Sequence, residues 1–212
     1  IRDGRVRRFT PTEIAFHWAQ ALPYLVLLAT GGLLFVERLL DFEVLDKEGL
    51  IEVHRWAGVA LPVLVSIVVL GGDRRVLWSN VRKGSRFRRE DLVWLARMPL
   101  ARFRPDLELP PAGKFNAGQK LNMTAQMVLL PVFLATGLVM WFVHGELLPW
   151  YVHVLASLVA TPLVLGHLYL ALVNPSTRVS LPGVFTGWVD ARWAHHHHPR
   201  EYPDPDREDG GA

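Results

Sequence analysis

The sequence predicts an all-α membrane protein, a bundle of four transmembrane helices with both chain termini on the cytoplasmic side. Three observations predict it. Half of the 212 residues are hydrophobic, and they gather in four helix-length stretches, 14–36, 56–72, 121–143 and 147–173, that hold no Asp, Glu, Lys or Arg. The basic residues are distributed very unevenly between these stretches. Four histidines, His17, His54, His153 and His167, stand at the stretches' edges.

A helix needs about 20 mainly apolar residues to cross a bilayer. The first, third and fourth stretches meet this directly, and the second reaches it by taking in residues just before Trp56. The spans are therefore placed at about 14–36, 52–72, 120–143 and 147–173, with a loop at 73–119, a membrane domain over 1–176 and a tail at 177–212. The first apolar stretch is too long for a signal peptide and follows an arginine-rich arm, so no leader is expected. Every span carries a proline (Pro23, Pro62, Pro131 and Pro162), which frees backbone carbonyls that must find other partners. Trp18, Trp56, Trp141, Trp150 and Tyr151 fall near span ends, where amphipathic rings anchor a helix at the interface. Met123, Met127 and Met140 read as core or lipid-facing.

Orientation follows from the positive-inside rule. The N-terminal arm holds four basic residues, the 73–120 segment twelve and the tail four, against three (Arg38, Lys47, Arg55) in the loop after the first span. Twenty of the 23 basic residues thus share one side, which is assigned to the cytoplasm. The pI near 9.5 records this asymmetry, so no nucleic-acid partner is needed to explain it.

With that topology, His17 and His167 lie at the inner level and His54 and His153 at the outer level. His153 and His167, fourteen residues apart, project from one helix face with a rise of roughly 21 Å between them. Ionisable groups at membrane depth are costly and mark functional sites by default. Two depth-matched histidine pairs are what two stacked bis-histidine haem sites require. Any one of these histidines alone reads more readily as a helix-bridging, proton-relaying or headgroup contact. The chain has no cysteine, which excludes iron–sulfur ligation, disulfides and covalent haem attachment here. Zinc or copper would more often add carboxylate or sulfur ligands. A chain of histidines relaying protons is the rival reading, and it asks for more polar residues between the two levels than Thr30, Ser66, Thr136 and Thr161.

Small side chains (Ser157, Ala160 and Gly58) beside the histidines fit either room for a macrocycle or close helix packing. In the cytoplasmic loop, 88–103 reads as an amphipathic helix in the headgroup plane or as a loop packed on the bundle. Phe115-Asn116-Ala117-Gly118-Gln119-Lys120 puts two amides at the inner level, where they fit a quinone carbonyl or a helix N-cap. The run His195 to His198 reads as a solvated surface, His144 as solvated, and the chain from Tyr202 onward as a disordered end.

Taken together, Arg8-Phe9-Thr10 before His17-Trp18, His54 with Gly58, the Phe115–Lys120 hexapeptide, the His153/His167 spacing, and Gly187-Trp188-Val189 leading to Trp193-Ala194 and His197-His198-Pro199 resemble the cytochrome b (gamma) subunit of membrane-bound formate dehydrogenase, in the prokaryotic di-haem cytochrome b family. The resemblance spans about residues 7–202. It implies two b haems, the outer on His54 and His153 and the inner on His17 and His167. It also implies a quinone (menaquinone or ubiquinone) at Asn116, Gly118 and Gln119. The implied partners are a periplasmic iron–sulfur subunit and a molybdenum or tungsten subunit that oxidises formate, in the bacterial inner membrane. The cytochrome subunit of a hydrogenase or of a thiosulfate or polysulfide reductase shares the same scaffold.

Overall fold

The computed structural model describes residues 3–41, 43, 46–101, 103–104, 106–143 and 145–203. His144 and the last nine residues of the chain lie outside that set. Four helices are long and apolar enough to cross a membrane: α1 (Pro11–Leu40), α2 (Lys47–Gly71), α5 (Ala117–Phe142) and α6 (Leu147–Leu168), the last extended by a π-helical turn over Tyr169–Val173. Large apolar side chains stay exposed along all four, among them Leu22, Val63, Val128 and Leu155. Such surface would be unfavourable in water and costs nothing against lipid tails.

The helix ends are set locally. Pro11 opens α1 at a position where its missing N–H is not needed, and Glu13 stands in the first turn. Asp46 caps α2 by accepting from the Gly49 N–H at 2.8 Å. Gly72 closes it by donating to the Val68 carbonyl. A Cβ at Gly72 would fall 2.6 Å from the Thr12 methyl, so only glycine lets the two hairpin ends meet there. The spans begin and end within a few residues of the expected positions.

The segment expected as a loop at 73–119 contains two further helices, α3 (Arg74–Ser85) and α4 (Arg89–Ala101). Of the two readings for 88–103, the helical one holds. The chain is also not wholly α. Arg5–Arg7 (β1) and Trp188–Asp190 (β2) pair antiparallel with Val6 opposite Val189. Short helices α7 (Pro175–Arg178), α8 (Gly183–Thr186) and α9 (Ala191–His197) occupy the tail.

The chain divides into two compact units. One comprises residues 1–10, 78–128 and 163–212. Its apolar core is Val6, Val189, Ala191 and Ala194, with Trp193 and Tyr202 packed on it. Gly187 takes the left-handed conformation at φ 83°, a region that suits glycine. Its carbonyl accepts from both Arg8 and Phe9 N–H groups, at 2.8 and 3.1 Å. The other unit comprises 11–77 and 129–162. In it α1 packs along α2, and the C-terminal part of α5 and the N-terminal part of α6 meet them through ring contacts, Trp141 on Trp56 and His153 beside His54. The basic residues where α1 ends and α2 begins are all engaged: Lys47 with Glu37 at 2.8 Å, Arg38 over the Trp150 ring, and Arg55 with Glu52 and over the Trp141 ring.

Candidate haem and quinone sites

His54 projects from the first turns of α2, and His153 from the first turns of α6. Their ring centres stand 6.2 Å apart. Each is held by a threonine of the helix that precedes its own. Thr30 Oγ1 lies 2.8 Å from His54 Nδ1, and Thr136 Oγ1 lies 2.8 Å from His153 Nδ1. Each threonine also donates its single hydroxyl hydrogen to a carbonyl one turn back, Val26 for Thr30 and Val132 for Thr136, at 2.7 Å in both cases. With that hydrogen committed, the hydroxyl can only accept from the imidazole. Nδ1 therefore carries the ring proton in both histidines, and Nε2 keeps its lone pair for a metal.

The residue after each threonine is glycine. A Cβ at Gly31 would sit 3.0 Å from His54 Cε1, and one at Gly137 would sit 3.8 Å from His153 Cε1. The ring of Phe133 lies 5.2 Å from that of His153, and the Ser157 hydroxyl donates to the His153 carbonyl. Gly58 faces Leu27 at ordinary contact distance, where α1 packs on α2.

This pair can be tested against a haem. Two metal–imidazole bonds of about 2 Å, with about 1 Å from nitrogen to ring centre at each end, separate the ring centres by roughly 6 Å. The observed 6.2 Å fits. Among the described residues no group of three or more His, Cys, Asp or Glu is arranged to hold a metal ion. Two imidazoles without a third ligand suit an iron that brings its own equatorial nitrogens.

His17 and His167 fall in different units. His17, on the second turn of α1, is half-buried, with its ring edge-on to Trp18 at 5.3 Å. His167 is exposed on α6, at the last α-helical turn before the π segment. It shares the uninterrupted helix Leu147–Leu168 with His153.

The hexapeptide from Phe115 opens α5. Asn116 Oδ1 accepts from the Gln119 N–H at 2.9 Å, and Gln119 Oε1 accepts from the Asn116 N–H at 3.1 Å. This is a reciprocal capping box, so the capping role foreseen for the two amides is present. It fixes both side chains through their oxygens and leaves the –NH2 groups as their donors. Gly118 passes 3.5 Å from the Trp94 ring by its would-be Cβ. Lys120 turns to Asp91, bonding both carboxylate oxygens at 2.9 and 2.8 Å and the Arg86 carbonyl at 3.1 Å. Beside this turn a cavity of about 320 Å³ is lined by Arg82, Arg86, Arg88, Lys114 and Asn116, among others.

The histidine run departs from expectation. His195–His197 are the end of α9, and His198 is 1% exposed, with Nδ1 donating to the Gly113 carbonyl at 2.7 Å. Burial, reinforced by the nearby Arg8 charge, pushes its pKa down to about 3. Burial likewise lowers His197. His197 and His198 are packed, with Trp193 stacked on His197 and Arg8 over Trp193, while His196 stays exposed as expected.

Thr30 and Thr136 are the site residues that sequence reasoning passed over. A signal existed: Leu-Ala-Thr-Gly occurs twice, at 28–31 and 134–137, each time on the helix before the one that carries His54 or His153.

The family model for prokaryotic cytochrome b561 matches residues 8–187. The chain is 30% identical over 122 residues to the cytochrome b556 subunit of the nitrate-inducible formate dehydrogenase of Escherichia coli (strain K12), covering 54% of this chain and 55% of that one. The match thus spans about half the length of that relative. It is 24% identical over 211 residues to the formate dehydrogenase cytochrome b556(fdo) subunit of the same organism, covering 95% of this chain and 93% of that one. With the formate dehydrogenase cytochrome b556 subunit of Haemophilus influenzae it shares 25% identity over 211 residues, 93% of this chain and 82% of that one.

Proposed function

The chain belongs to the prokaryotic cytochrome b561 family, a multi-pass membrane protein of the bacterial inner membrane, and on that premise we propose that it is the haem b subunit of a formate dehydrogenase complex. In this reading it carries electrons from a periplasmic iron–sulfur subunit to a quinone near the cytoplasmic side. Formate is oxidised on a separate molybdenum- or tungsten-containing subunit. Both termini face the cytoplasm, where most of the Lys and Arg residues lie. His54 and His153 hold the outer haem; His17 and His167 hold the inner one. A bis-histidine haem supplies a reversible one-electron carrier in an apolar setting.

The observation that carries this reading is the matched outer pair, two imidazoles 6.2 Å apart, each turned by a threonine so that Nε2 is left to ligate. The names of the relatives point to formate as the electron source. Thr30 and Thr136 hold the ligand rings, the apolar helix faces exclude water, and the capping box at Asn116 and Gln119 presents two –NH2 donors to a quinone carbonyl beside Gly118. Reduction of the quinone takes two electrons and two protons, and the polar cavity next to Asn116 is open to solvent for the protons.

A reduced-minus-oxidised optical spectrum with a pyridine haemochrome count tests the reading. Two b haems per chain are expected, falling to one in His54→Ala or His153→Ala and to the other one in His17→Ala or His167→Ala. A folded chain that takes up no haem overturns it.

A further inference from the structure

Residues 107–116 form neither helix nor strand and include Pro110 and Pro111. A segment without a ladder must find partners for its backbone groups elsewhere. The three carbonyls just ahead of the Phe115-Asn116 cap find them in the chain's two ends. Ala112 accepts from the Arg200 N–H at 3.2 Å, Gly113 from His198 Nδ1 at 2.7 Å, and Lys114 from Arg8 Nη2 at 3.0 Å. A carbonyl can only accept, so His198 must carry its proton on Nδ1. His198 is 1% and Arg8 5% exposed, which shields both bonds from competing water.

The donors are themselves fixed. The Arg8 guanidinium lies 5.2 Å from the Phe9 ring centre and 5.5 Å from that of Trp193. The pairing of β1 with β2 joins the N-terminal arm to the tail. Arg200 pairs with Glu90 at 2.6 Å and Glu201 with Lys83 at 3.1 Å, tying the tail to α4 and α3. All these residues belong to one compact unit.

We propose that His198 and Arg8 are positioning residues for quinone binding: by holding the carbonyls of Gly113 and Lys114 they set the place and direction of the Asn116 and Gln119 amides. The inference rests on the quinone site proposed above. Neither side chain touches the quinone. They act through three consecutive peptide units, and a side chain held by a buried hydrogen bond from a distant segment is what keeps a binding loop in one geometry.

The test uses the full chain loaded with haem in detergent, reduced with stoichiometric dithionite. Reoxidation by decylubiquinone or menadione, whichever serves the wild type, is followed by stopped flow across quinone concentrations. His198→Leu, which removes the donor, should weaken apparent quinone affinity about tenfold, the equivalent of roughly 1.4 kcal/mol. The limiting rate, the haem content and the optical spectrum should stay unchanged. His198→Asn places an N–H donor where Nδ1 stood and should restore affinity to within about twofold. Arg8→Leu should repeat the affinity loss, and Arg8→Lys should recover part of it.

Unchanged affinity in a folded, haem-replete His198→Leu overturns the proposal. So does equal failure of the Asn and Leu variants. Haem loss in step with affinity would mean that the two residues merely hold the fold together, which also overturns it. Asn116→Ala and Gln119→Ala are run alongside. If these leave quinone affinity intact, the quinone site itself is misplaced; if they abolish it while His198→Leu does nothing, only the positioning role fails.

Discussion

The Thr30 hydroxyl stands 2.8 Å from Nδ1 of His54 and gives its own hydrogen to the Val26 carbonyl at 2.7 Å. The same relay joins His153 to Thr136 and the Val132 carbonyl. Two helix hairpins thus deliver one device twice, with a threonine on the first helix orienting the histidine on the second. The hydroxyls cost little to bury, since each satisfies its donor within its own helix and offers only an acceptor to the ring.

If these threonines fix the ligand tautomer, removing either hydroxyl should loosen one haem. Thr30→Val and Thr136→Val keep the shape and delete the acceptor. Partners of this kind are worth about 10–100-fold in metal affinity. Haem titration of the purified variants should show one of two sites weakened by about that factor, with its midpoint potential displaced and the other site unmoved. Thr→Ser at either position should behave as wild type.

The two glycines beside the threonines should respond differently to alanine. At Gly31 a new Cβ lies 3.0 Å from His54 Cε1, tighter than ordinary contact, and the ring cannot retreat without stretching its bond to Thr30. At Gly137 the same addition lies 3.8 Å from His153 Cε1. Gly→Ala favours a helix by about 1 kcal/mol, so Gly137→Ala should be neutral to stabilising. Gly31→Ala should broaden or shift the spectrum of one haem. Low-temperature optical spectra of the pair check this, and identical spectra would mean that α1 yields more readily than its packing implies.

Acid should loosen the hold of His198 on the Gly113 carbonyl. The folded pKa of His198 is pushed down to about 3, while an unfolded histidine titrates near 6.5. Between those values the unfolded state binds a proton that the folded state refuses. Stability from this group is therefore fully present above pH 6.5 and declines as pH falls toward 3. The charges facing it, Arg8 and His197, act in the same direction. Hydrogen-exchange protection factors in α9 and residues 112–116, corrected for the slower intrinsic exchange in acid, should fall from pH 7 to pH 5, and His198→Asn should flatten that dependence.

Much of the architecture is local and was legible in the chain itself. Apolar length places a span, and the ends of α1, α2, α5 and α6 fall close to where the apolar stretches stop. Helical periodicity puts His153 and His167 on one helix. The capping box at Asn116 and Gln119 is a four-residue signal. A helix within 88–103 was one of two readings that the composition allowed, and α4 is that helix.

What the sequence by itself determined about this protein is the set of membrane spans, the histidines they carry and the side on which positive charge collects, because each depends on residues adjacent along one segment. Only the tertiary structure decided how those groups are used. It set Thr30 against His54, 24 positions away, and Thr136 against His153, 17 away. It also buried His198, the last of a histidine run that reads as solvated, and set it on the Gly113 carbonyl, 85 positions distant. A hydroxyl or an imidazole has the same composition whether it meets water or a partner, and only the packing of distant helices and termini determines which it meets.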